Sequence, residues 1–300
     1  MKTILIPLFT VFLAAPLTLH AQQSTLGEGD SYAWAGNIGW LELIPSRPNY
    51  YDGVRVTDTC FSGFAWSDST GWINFGDGTP ANNIRYANID GADSGVNHDG
   101  MGNLSGLAWS ANLGWINFGW AASNDPNRPR FDLYSGGFSG YAWSASAGWI
   151  HLGTGILKTD IMAITDADAD GISDTWELEH APTLNVLTSM GDADGDGISD
   201  QAEYQADTNP SSAQSYFKVT NIAPVNLNGT ATALTWTSSP ARRYVIDRSI
   251  DLGSADPWHP SPLDAPSFGA DAGDQTTRTT LDVASPQRFF RVKAVVPLQP

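Results

Sequence analysis

The stretch YAWAGNIGWLEL at residues 32–43 recurs three times with small changes, as FAWSDSTGWINFG at 64–76, LAWSANLGWINFG at 107–119 and YAWSASAGWIHLG at 141–153. All four share the pattern A-W-[AS]-x-x-x-G-W-[IL], in which the second tryptophan follows the first by six residues. Short β-type runs on either side of a small Gly-containing turn are typical of two antiparallel strands. Each stretch therefore predicts a β-hairpin, and the four together predict an antiparallel Trp-hairpin repeat array.

The paired tryptophans allow two interpretations. An even spacing of six keeps both rings of a hairpin on one face, which either fills a core between units or offers exposed platforms that stack on sugar rings. A tryptophan buries ~150–250 Å², and soluble proteins rarely expose apolar patches larger than a few hundred Å², so a core is the favoured interpretation. Trp120 lies outside the paired positions and is the best candidate for an exposed ring. The paired positions are Trp34 and Trp40, Trp66 and Trp72, Trp109 and Trp115, and Trp143 and Trp149.

Further strands are predicted before the last three hairpins, at Val54–Val56, near Val96 and at Phe131–Tyr134. The four hairpins resemble the short AWS…GWINF repeats of secreted bacterial proteins. This resemblance implies a β-rich extracellular array and no particular chemistry.

The acidic centre of the chain predicts calcium loops. DADADGISDTWE at 166–177 and DADGDGISDQAE at 192–203 both fit D-x-D-x-D-G-x-x-D-x-x-E. Ca²⁺ takes six to eight oxygens at about 2.3–2.6 Å, which alternate acids can supply around a sharp turn at Gly. Residues 160–207 hold 13 Asp and Glu and no Lys or Arg, so the carboxylates repel one another unless a cation is bound. We expect about two Ca²⁺ ions, held in the first loop by Asp166, Asp168, Asp170, the Ile172 carbonyl, Asp174 and Glu177, and in the second by Asp192, Asp194, Asp196, the Ile198 carbonyl, Asp200 and Glu203.

Both loops depart from the common EF-hand, because Ile stands at position 7 and Ser173 or Ser199 at position 8. The segment instead resembles the thrombospondin type 3 repeats of bacterial proteins, over about 50 residues that include EYQADTNP at 203–210. That resemblance implies an ion-ordered, rigid spacer rather than a calcium switch; the alternative is a solvated acidic linker. Glu177 and Glu203 are expected to begin short helices, and Asp207 is a candidate extra ligand. A small apolar contact between the loops is predicted from Trp176, Leu178, Leu184 and Leu187.

The C-terminal residues alternate in the β manner and predict a small antiparallel sandwich. The Asn228-Gly229 pair is a strong turn signal. LTWTSSPARRYVIDRSIDL and the closing RFFRV resemble a C-terminal β-sandwich that follows calcium repeats in secreted bacterial proteins. Arg242, Arg243 and Arg248 are expected to be solvated, although they could bind an acidic partner. The predicted strands are Phe217–Thr220, Ala231–Thr237, Tyr244–Arg248, Thr277–Val283 and Arg288–Val295.

Residues 1–21, MKTILIPLFTVFLAAPLTLHA, have a basic start, an interrupted apolar run and a small residue at Ala21. This pattern is typical of a secretory signal peptide and too short for a membrane span. We expect a secreted or cell-surface protein with four parts. They are the signal peptide (1–21), a Trp-hairpin β-repeat domain (22–157), a thrombospondin type 3-like calcium-binding segment (158–212) and a C-terminal β-sandwich (213–300).

The composition excludes several classes of function. A formal net charge of −17 argues against a nucleic-acid partner. The single cysteine, Cys60, allows no internal disulfide and is expected in the core rather than as a nucleophile. No nucleophile, zinc or phosphate-loop motif is present, so we expect no enzyme, although acids from distant strands could still form a glycosidase pair. The sequence predicts a mainly β, calcium-binding structural or adhesive protein; the alternative is a glycan-binding module. The expected partners are cell-surface or matrix glycans or proteins.

Overall fold

The computed structural model describes residues 24–45, 53–122, 124–225, 231–260, 268–269, 274–281 and 288–299. The predicted signal peptide and the predicted Asn228-Gly229 turn lie outside these residues. The described chain is mainly β with antiparallel sheets and two short helices. Neither helix, at seven residues each, has the length or apolar character needed to cross a bilayer.

The first half of the chain forms thirteen strands among its described residues. They are β1 (Leu26–Ala35), β2 (Gly39–Glu42), β3 (Arg55–Val56), β4 (Phe61–Ser67), β5 (Gly71–Asp77), β6 (Val96–His98), β7 (Leu104–Ser110), β8 (Gly114–Asn117), β9 (Arg130–Phe131), β10 (Phe138–Ser139), β11 (Tyr141–Ser144), β12 (Gly148–His151) and β13 (Leu157–Thr159). Each predicted hairpin is present, as β1–β2, β4–β5, β7–β8 and β11–β12.

The four hairpins close into an eight-stranded barrel rather than an open array. Neighbouring hairpins pair side by side, and the last strand returns to the first, where Trp34 lies opposite His151 and Ala35 opposite Ile150. The short strand β13 also pairs with β1, from Leu26 to Ser31. Closure gives these strands partners on both sides and removes the exposed edges that an open sheet would have.

The repeated glycine of the pattern sets the hairpin turn. The glycine before the second tryptophan has a positive φ in all four copies, from +75° to +79°, a conformation that residues with a Cβ rarely adopt. Successive turns from the first hairpin to the fourth also contact each other. Three such hydrogen bonds run from Ser69 to Ile38 O, from Asn112 to Thr70 O and from Ser146 to Leu113 O.

The barrel interior is filled from the positions next to the tryptophans. Small residues come from the first strand of each hairpin and larger ones from the second, and their exposed fractions are 3% or less. Because side chains alternate along a strand, these positions and the tryptophans lie on opposite faces. The interior of an eight-stranded barrel is narrow enough to be filled by its own side chains, as it is here. The interior set is Ala33, Ala65, Ala108 and Ala142 with Leu41, Ile73, Ile116 and Ile150.

The prediction that the paired tryptophans form a core is therefore wrong. All four pairs lie on the outer face: six of these rings are 39–51% exposed, and Trp66 and Trp72 are half-buried. In every hairpin the two rings contact each other at centroid distances of 4.7–4.9 Å, which covers part of each apolar surface. Trp120, predicted to be the exposed ring, is half-buried instead, and it donates a hydrogen bond from Nε1 to Tyr141 O at 2.6 Å.

The C-terminal region is mainly antiparallel β, as predicted. Its strands are β14 (Val219–Pro224), β15 (Ala231–Thr237), β16 (Arg243–Ser249), β17 (His259–Pro260), β18 (Phe268–Gly269), β19 (Gln275–Leu281) and β20 (Phe289–Val295). They form one sheet in the order β14-β15-β19 and a second in which β16 pairs with β17, β18 and β20. Trp236 of the first sheet and Tyr244 and Ile246 of the second share one buried cluster. The more specific sandwich stays a prediction.

Candidate calcium site

Helix α1 (Asp174–His180) follows the first acidic loop and α2 (Asp200–Ala206) follows the second. Ser173 and Ser199 are the N-caps, and their side chains accept hydrogen bonds from Trp176 N and Ala202 N. Serine is among the best N-cap residues, so this role explains why it stands at position 8 of both loops. The helices begin three residues before the glutamates that were expected to start them, because the caps fix the start.

In the first loop, aspartate side chains accept hydrogen bonds from backbone N–H groups of the same loop. Asp166 accepts hydrogen bonds from Asp170 N at 3.1 Å and Gly171 N at 3.0 Å, and Asp170 accepts one from Ile172 N at 2.9 Å. Gly171 has φ +93°, so the sharp turn falls at the glycine, as the pattern predicts. These contacts bring Asp166, Asp168 and the following acids to one side of the turn.

The second loop repeats the same contacts 26 residues later. Asp192 accepts hydrogen bonds from Asp196 N at 3.1 Å and Gly197 N at 2.9 Å, and Asp196 accepts one from Ile198 N at 2.7 Å. Gly197 has φ +92°. Two separate loops with the same internal hydrogen bonds indicate that the pattern itself specifies this conformation.

The aspartates lie close enough to share ions. Carboxylate oxygens lie within 4.8 Å of one another in three groups among the described residues. The groups are Asp166 with Asp168 and Asp174, Asp168 with Asp170 and Glu177, and Asp192 with Asp194 and Asp196. Groups of hard carboxylate oxygens at this separation suit Ca²⁺.

The two glutamates at position 12 of the loops show most clearly whether the loops suit a bound cation. The side chains of Glu177 and Glu203 are both 0% exposed. Both Oε atoms of Glu177 and Oε2 of Glu203 are buried without a hydrogen-bond partner, and so is Oδ2 of Asp194. Burial, with the neighbouring aspartates, raises the pKa of each glutamate to about 7. A buried carboxylate without a partner is costly, and a cation held between it and the aspartates would compensate it. The residues present therefore fit calcium.

Some predicted ligands have other contacts. Asp200 is 1% exposed and accepts hydrogen bonds from Thr188 N and Ala193 N at 3.0 and 2.9 Å, and it lies in none of the groups above. Glu203 Oε1 accepts a bond from Thr208 Oγ1 at 3.2 Å. The Ile172 side chain is buried, whereas Ile198 is 37% exposed, and the role of their carbonyls as ligands stays a prediction.

The candidate extra ligand Asp207 serves a different purpose. Its carboxylate accepts a hydrogen bond from Ser239 Oγ and lies 3.4 Å from Arg242 Nη2. Arg242 is only 7% exposed and also donates to Tyr204 O at 2.6 Å. The expectation of a solvated Arg242 is therefore wrong, because this side chain ties the end of α2 to the C-terminal sheets.

The predicted apolar contact between the loops is present in part. Trp176 and Leu187 pack in a buried cluster with Ile172, Ala181 and Tyr204. Leu178 and Leu184 instead line a cleft between α1 and the barrel. Both are half-buried and lie outside the cluster.

Sequence reasoning missed Asp58. Its carboxylate accepts hydrogen bonds from Ser173 Oγ and Thr175 Oγ1, joining the barrel to the N-terminus of α1. Burial raises the pKa of this carboxyl group. A second link is the ion pair between Arg85 Nη1 and Glu179 Oε1 at 2.6 Å. The partners are about a hundred residues apart, and no local pattern signals such contacts.

Comparison with known proteins finds one family model that matches a short part of the chain. The model of the bacterial TSP3 repeat matches residues 192–213, which hold the second loop, α2 and the residues that follow it. No curated protein and no solved structure matches the chain. Together with the aspartate groups, the match indicates a calcium-binding repeat protein. The predicted resemblance to thrombospondin type 3 repeats is thus confirmed over residues 192–213.

Proposed function

We propose that the chain is a secreted, calcium-binding structural or adhesive protein. Two ions, one in each acidic loop, order a spacer between the barrel and the C-terminal β region. An extracellular location of the protein is consistent with its TSP3 repeat, because this repeat is typical of extracellular proteins. The calcium concentrations found outside cells suit repeats of this kind, since extracellular modules bind at ~10⁻⁴–10⁻³ M.

The buried carboxylate of Glu177 carries this proposal. Both of its oxygens lack a hydrogen-bond partner, and the carboxylates of Asp168 and Asp170 lie beside it. Two carboxylates ~4 Å apart repel by about 4 kcal/mol at an effective dielectric constant of 20. A divalent cation converts this repulsion into attraction, so calcium stabilises the folded loop relative to the unfolded chain.

The contacts of the spacer explain why an ordered loop matters for the rest of the chain. On one side, Asp58 of the barrel holds Ser173 and Thr175 at the start of α1. On the other, Arg242 holds the end of α2. The chain end returns to the spacer as well, since Met162 N donates to Leu298 O at 2.8 Å. Loss of loop order is therefore transmitted to contacts with both β regions.

Calorimetric titration of the mature protein with Ca²⁺ tests the proposal, followed by thermal unfolding with and without chelator. We expect two sites in the natural protein and one in each of the variants Glu177→Gln and Glu203→Gln. At a free calcium concentration of 100 Kd, each ion adds about 2.7 kcal/mol to the free energy of unfolding. Mg²⁺ is expected to bind more weakly because it gives up its water reluctantly.

Glu179→Gln is the matched control, because Glu179 lies on the same helix but belongs to none of the aspartate groups. It loses a surface ion pair worth at most about 1 kcal/mol and keeps both sites. No heat of binding at millimolar Ca²⁺, or equal loss of a site in the control, would overturn the proposal.

The adhesive part of the proposal has its own test. The purified protein should bind cells or extracellular matrix in calcium and lose that binding in chelator. Absence of binding in both conditions rejects adhesion and leaves the structural role.

For export, we expect the secreted protein to begin at Gln22, which N-terminal sequencing checks. A catalytic role is not proposed, because the acids that lie together within the described residues suit an ion.

Glycan binding is the second candidate function, and one observation favours it. The outer face of the barrel carries tryptophan pairs at regular intervals, with a polar residue opposite the first ring of the adjacent hairpin. These polar partners are Glu42, Asn74, Asn117 and His151. Aromatic faces beside planar polar groups match a sugar ring, which has apolar C–H faces and a hydroxyl rim. Quenching of tryptophan emission by soluble polysaccharides would support this function, and an unchanged spectrum would reject it.

A further inference from the structure

The fourth hairpin differs from the other three because a third tryptophan lies against its outer face. Trp120, which follows the third hairpin in sequence, has its ring centroid 4.7 Å from that of Trp149. The Tyr141 ring lies 6.3 Å from Trp149. With Asn127, these three aromatic residues line an open cleft of about 450 Å³. Pockets for small ligands range from ~300 to 1,000 Å³, so the cleft has the size of a ligand site.

Hydrogen bonds and ring contacts fix the walls of this cleft. Trp120 Nε1 donates to Tyr141 O at 2.6 Å, and Tyr141 N donates to Asn127 O at 3.0 Å. The Tyr141 ring stacks on His151 at a centroid distance of 4.8 Å and an interplanar angle of 21°. Trp149 also contacts the ring of Trp143, at a centroid distance of 4.8 Å. A site that is already ordered pays little conformational entropy when a ligand binds.

The lining selects a neutral ligand with an apolar face. The indole N–H of Trp120 is already bonded within the protein, so this ring offers its carbon surface to a ligand. Asn127 is exposed, and an amide presents donors and an acceptor side by side. Within the described part of the chain, no acidic or basic residue lines the cleft. The chain as a whole carries a formal charge of −17, which disfavours polyanions.

We propose that the cleft of Trp120, Asn127, Tyr141 and Trp149 is the primary subsite for one neutral sugar residue of a glycan. The sugar stacks its C–H face on the aromatic walls and turns its hydroxyl rim toward the Asn127 amide. This inference rests on the glycan-binding function proposed above and is independent of calcium. The first and second hairpins also place a ring beside the second tryptophan, Tyr32 and Phe64 respectively, but they lack a counterpart of Trp120, so they bind sugar more weakly.

The test is titration of the mature protein with neutral hexasaccharides of glucose, mannose and xylose, followed by tryptophan emission and by the indole N–H resonances. We expect at least one of them to bind, with a Kd raised tenfold or more in Trp120→Ala and severalfold in Asn127→Ala. Trp115→Ala is the matched control. It removes the third hairpin's counterpart of Trp149, a ring that does not line the cleft, and its Kd should stay within twofold of the natural value. Asn127→Ala changes an exposed side chain and guards against a loss caused by misfolding of the Trp120 variant.

Three outcomes would overturn the inference, and they differ in what else they reject. Binding that is weakened by Trp115→Ala but not by the two cleft variants leaves the glycan function and rejects this cleft. Absence of binding for every neutral hexasaccharide at millimolar concentration rejects both. Preferential binding of hyaluronan or of a proline-rich peptide at the cleft rejects the neutral sugar as its ligand.

Discussion

Acidification should destabilise the barrel through one buried histidine. His98 is 1% exposed and packs against the rings of Phe61 and Phe131. Its Nε2 lies 2.7 Å from Thr57 O, a pure acceptor, so Nε2 carries the proton. Nδ1 accepts a hydrogen bond from Gly100 N at 3.2 Å. The neutral ring is thus satisfied at both nitrogens, and a second proton would add a buried charge and remove the acceptor.

The size of the effect follows from the pKa of His98, which burial lowers from 6.5 to about 4. Between these two values the unfolded chain takes up a proton that the folded protein does not. The free energy of unfolding therefore falls as the pH falls through this window and is unaffected above it. One pKa unit corresponds to about 1.4 kcal/mol, so the loss reaches about 2 kcal/mol at pH 5 and about 3 kcal/mol at pH 4.

Urea unfolding of the natural protein and of His98→Gln, at several values between pH 7 and pH 4.5, isolates this contribution. Glutamine keeps a donor and an acceptor but does not titrate. Other titrating groups, including those of the calcium loops, are common to both proteins and cancel in the difference. The advantage of the natural protein over the variant should shrink by about 2 kcal/mol from pH 7 to pH 5. A difference that stays constant over this range would refute the argument.

Three further predictions concern single contacts, each checked by urea or thermal unfolding. Gly114→Ala should lower the free energy of unfolding by about 1–2 kcal/mol because φ there is +75°. Gly36→Ala should change stability little, because φ there is not in the left-handed region and a Cβ meets open space. Equal losses in the two variants would contradict this. Ser173→Ala should cost more than Ser199→Ala, which loses a helix cap worth about 1 kcal/mol, because Ser173 also bonds to the barrel. Arg242→Met should cost about 2–4 kcal/mol by leaving buried acceptors unpaired, and limited proteolysis after α2 should become faster.

The sequence predicts the hairpins and the loops well because both depend on local rules. Glycine at a positive-φ turn and aspartate at alternate loop positions act within a dozen residues, and the structure shows both at Gly39 and at Asp166. The strand predicted at Ala231–Thr237 has the predicted bounds. The prediction that the paired tryptophans face a core was wrong. Periodicity shows that two rings share a face, but only closure of the barrel, through the pairing of Trp34 with His151, decides which face is outside.

The long-range contacts of the spacer could not be predicted from the sequence either. Asp58 and Arg242 stand in stretches that read as ordinary loop and strand, and each acts through partners distant in the chain. A buried charge is recognised by its surroundings rather than by its neighbours in sequence. The caps at Ser173 and Ser199 could have been found, since serine before a run of helix-forming residues is a known start signal. The metal-binding pattern alone gives these two positions no role.

The pairing of the last hairpin with the first affects how the repeats unfold. In a linear stack of repeats, the terminal units have one neighbour each and can fray independently of the middle. Here every hairpin has two neighbours, so detaching any one of them breaks two rows of hydrogen bonds and opens the interior at Ile73 and Ile116 to water. The four copies therefore melt together in a single transition, and deletion of one copy removes the whole barrel rather than a quarter of it.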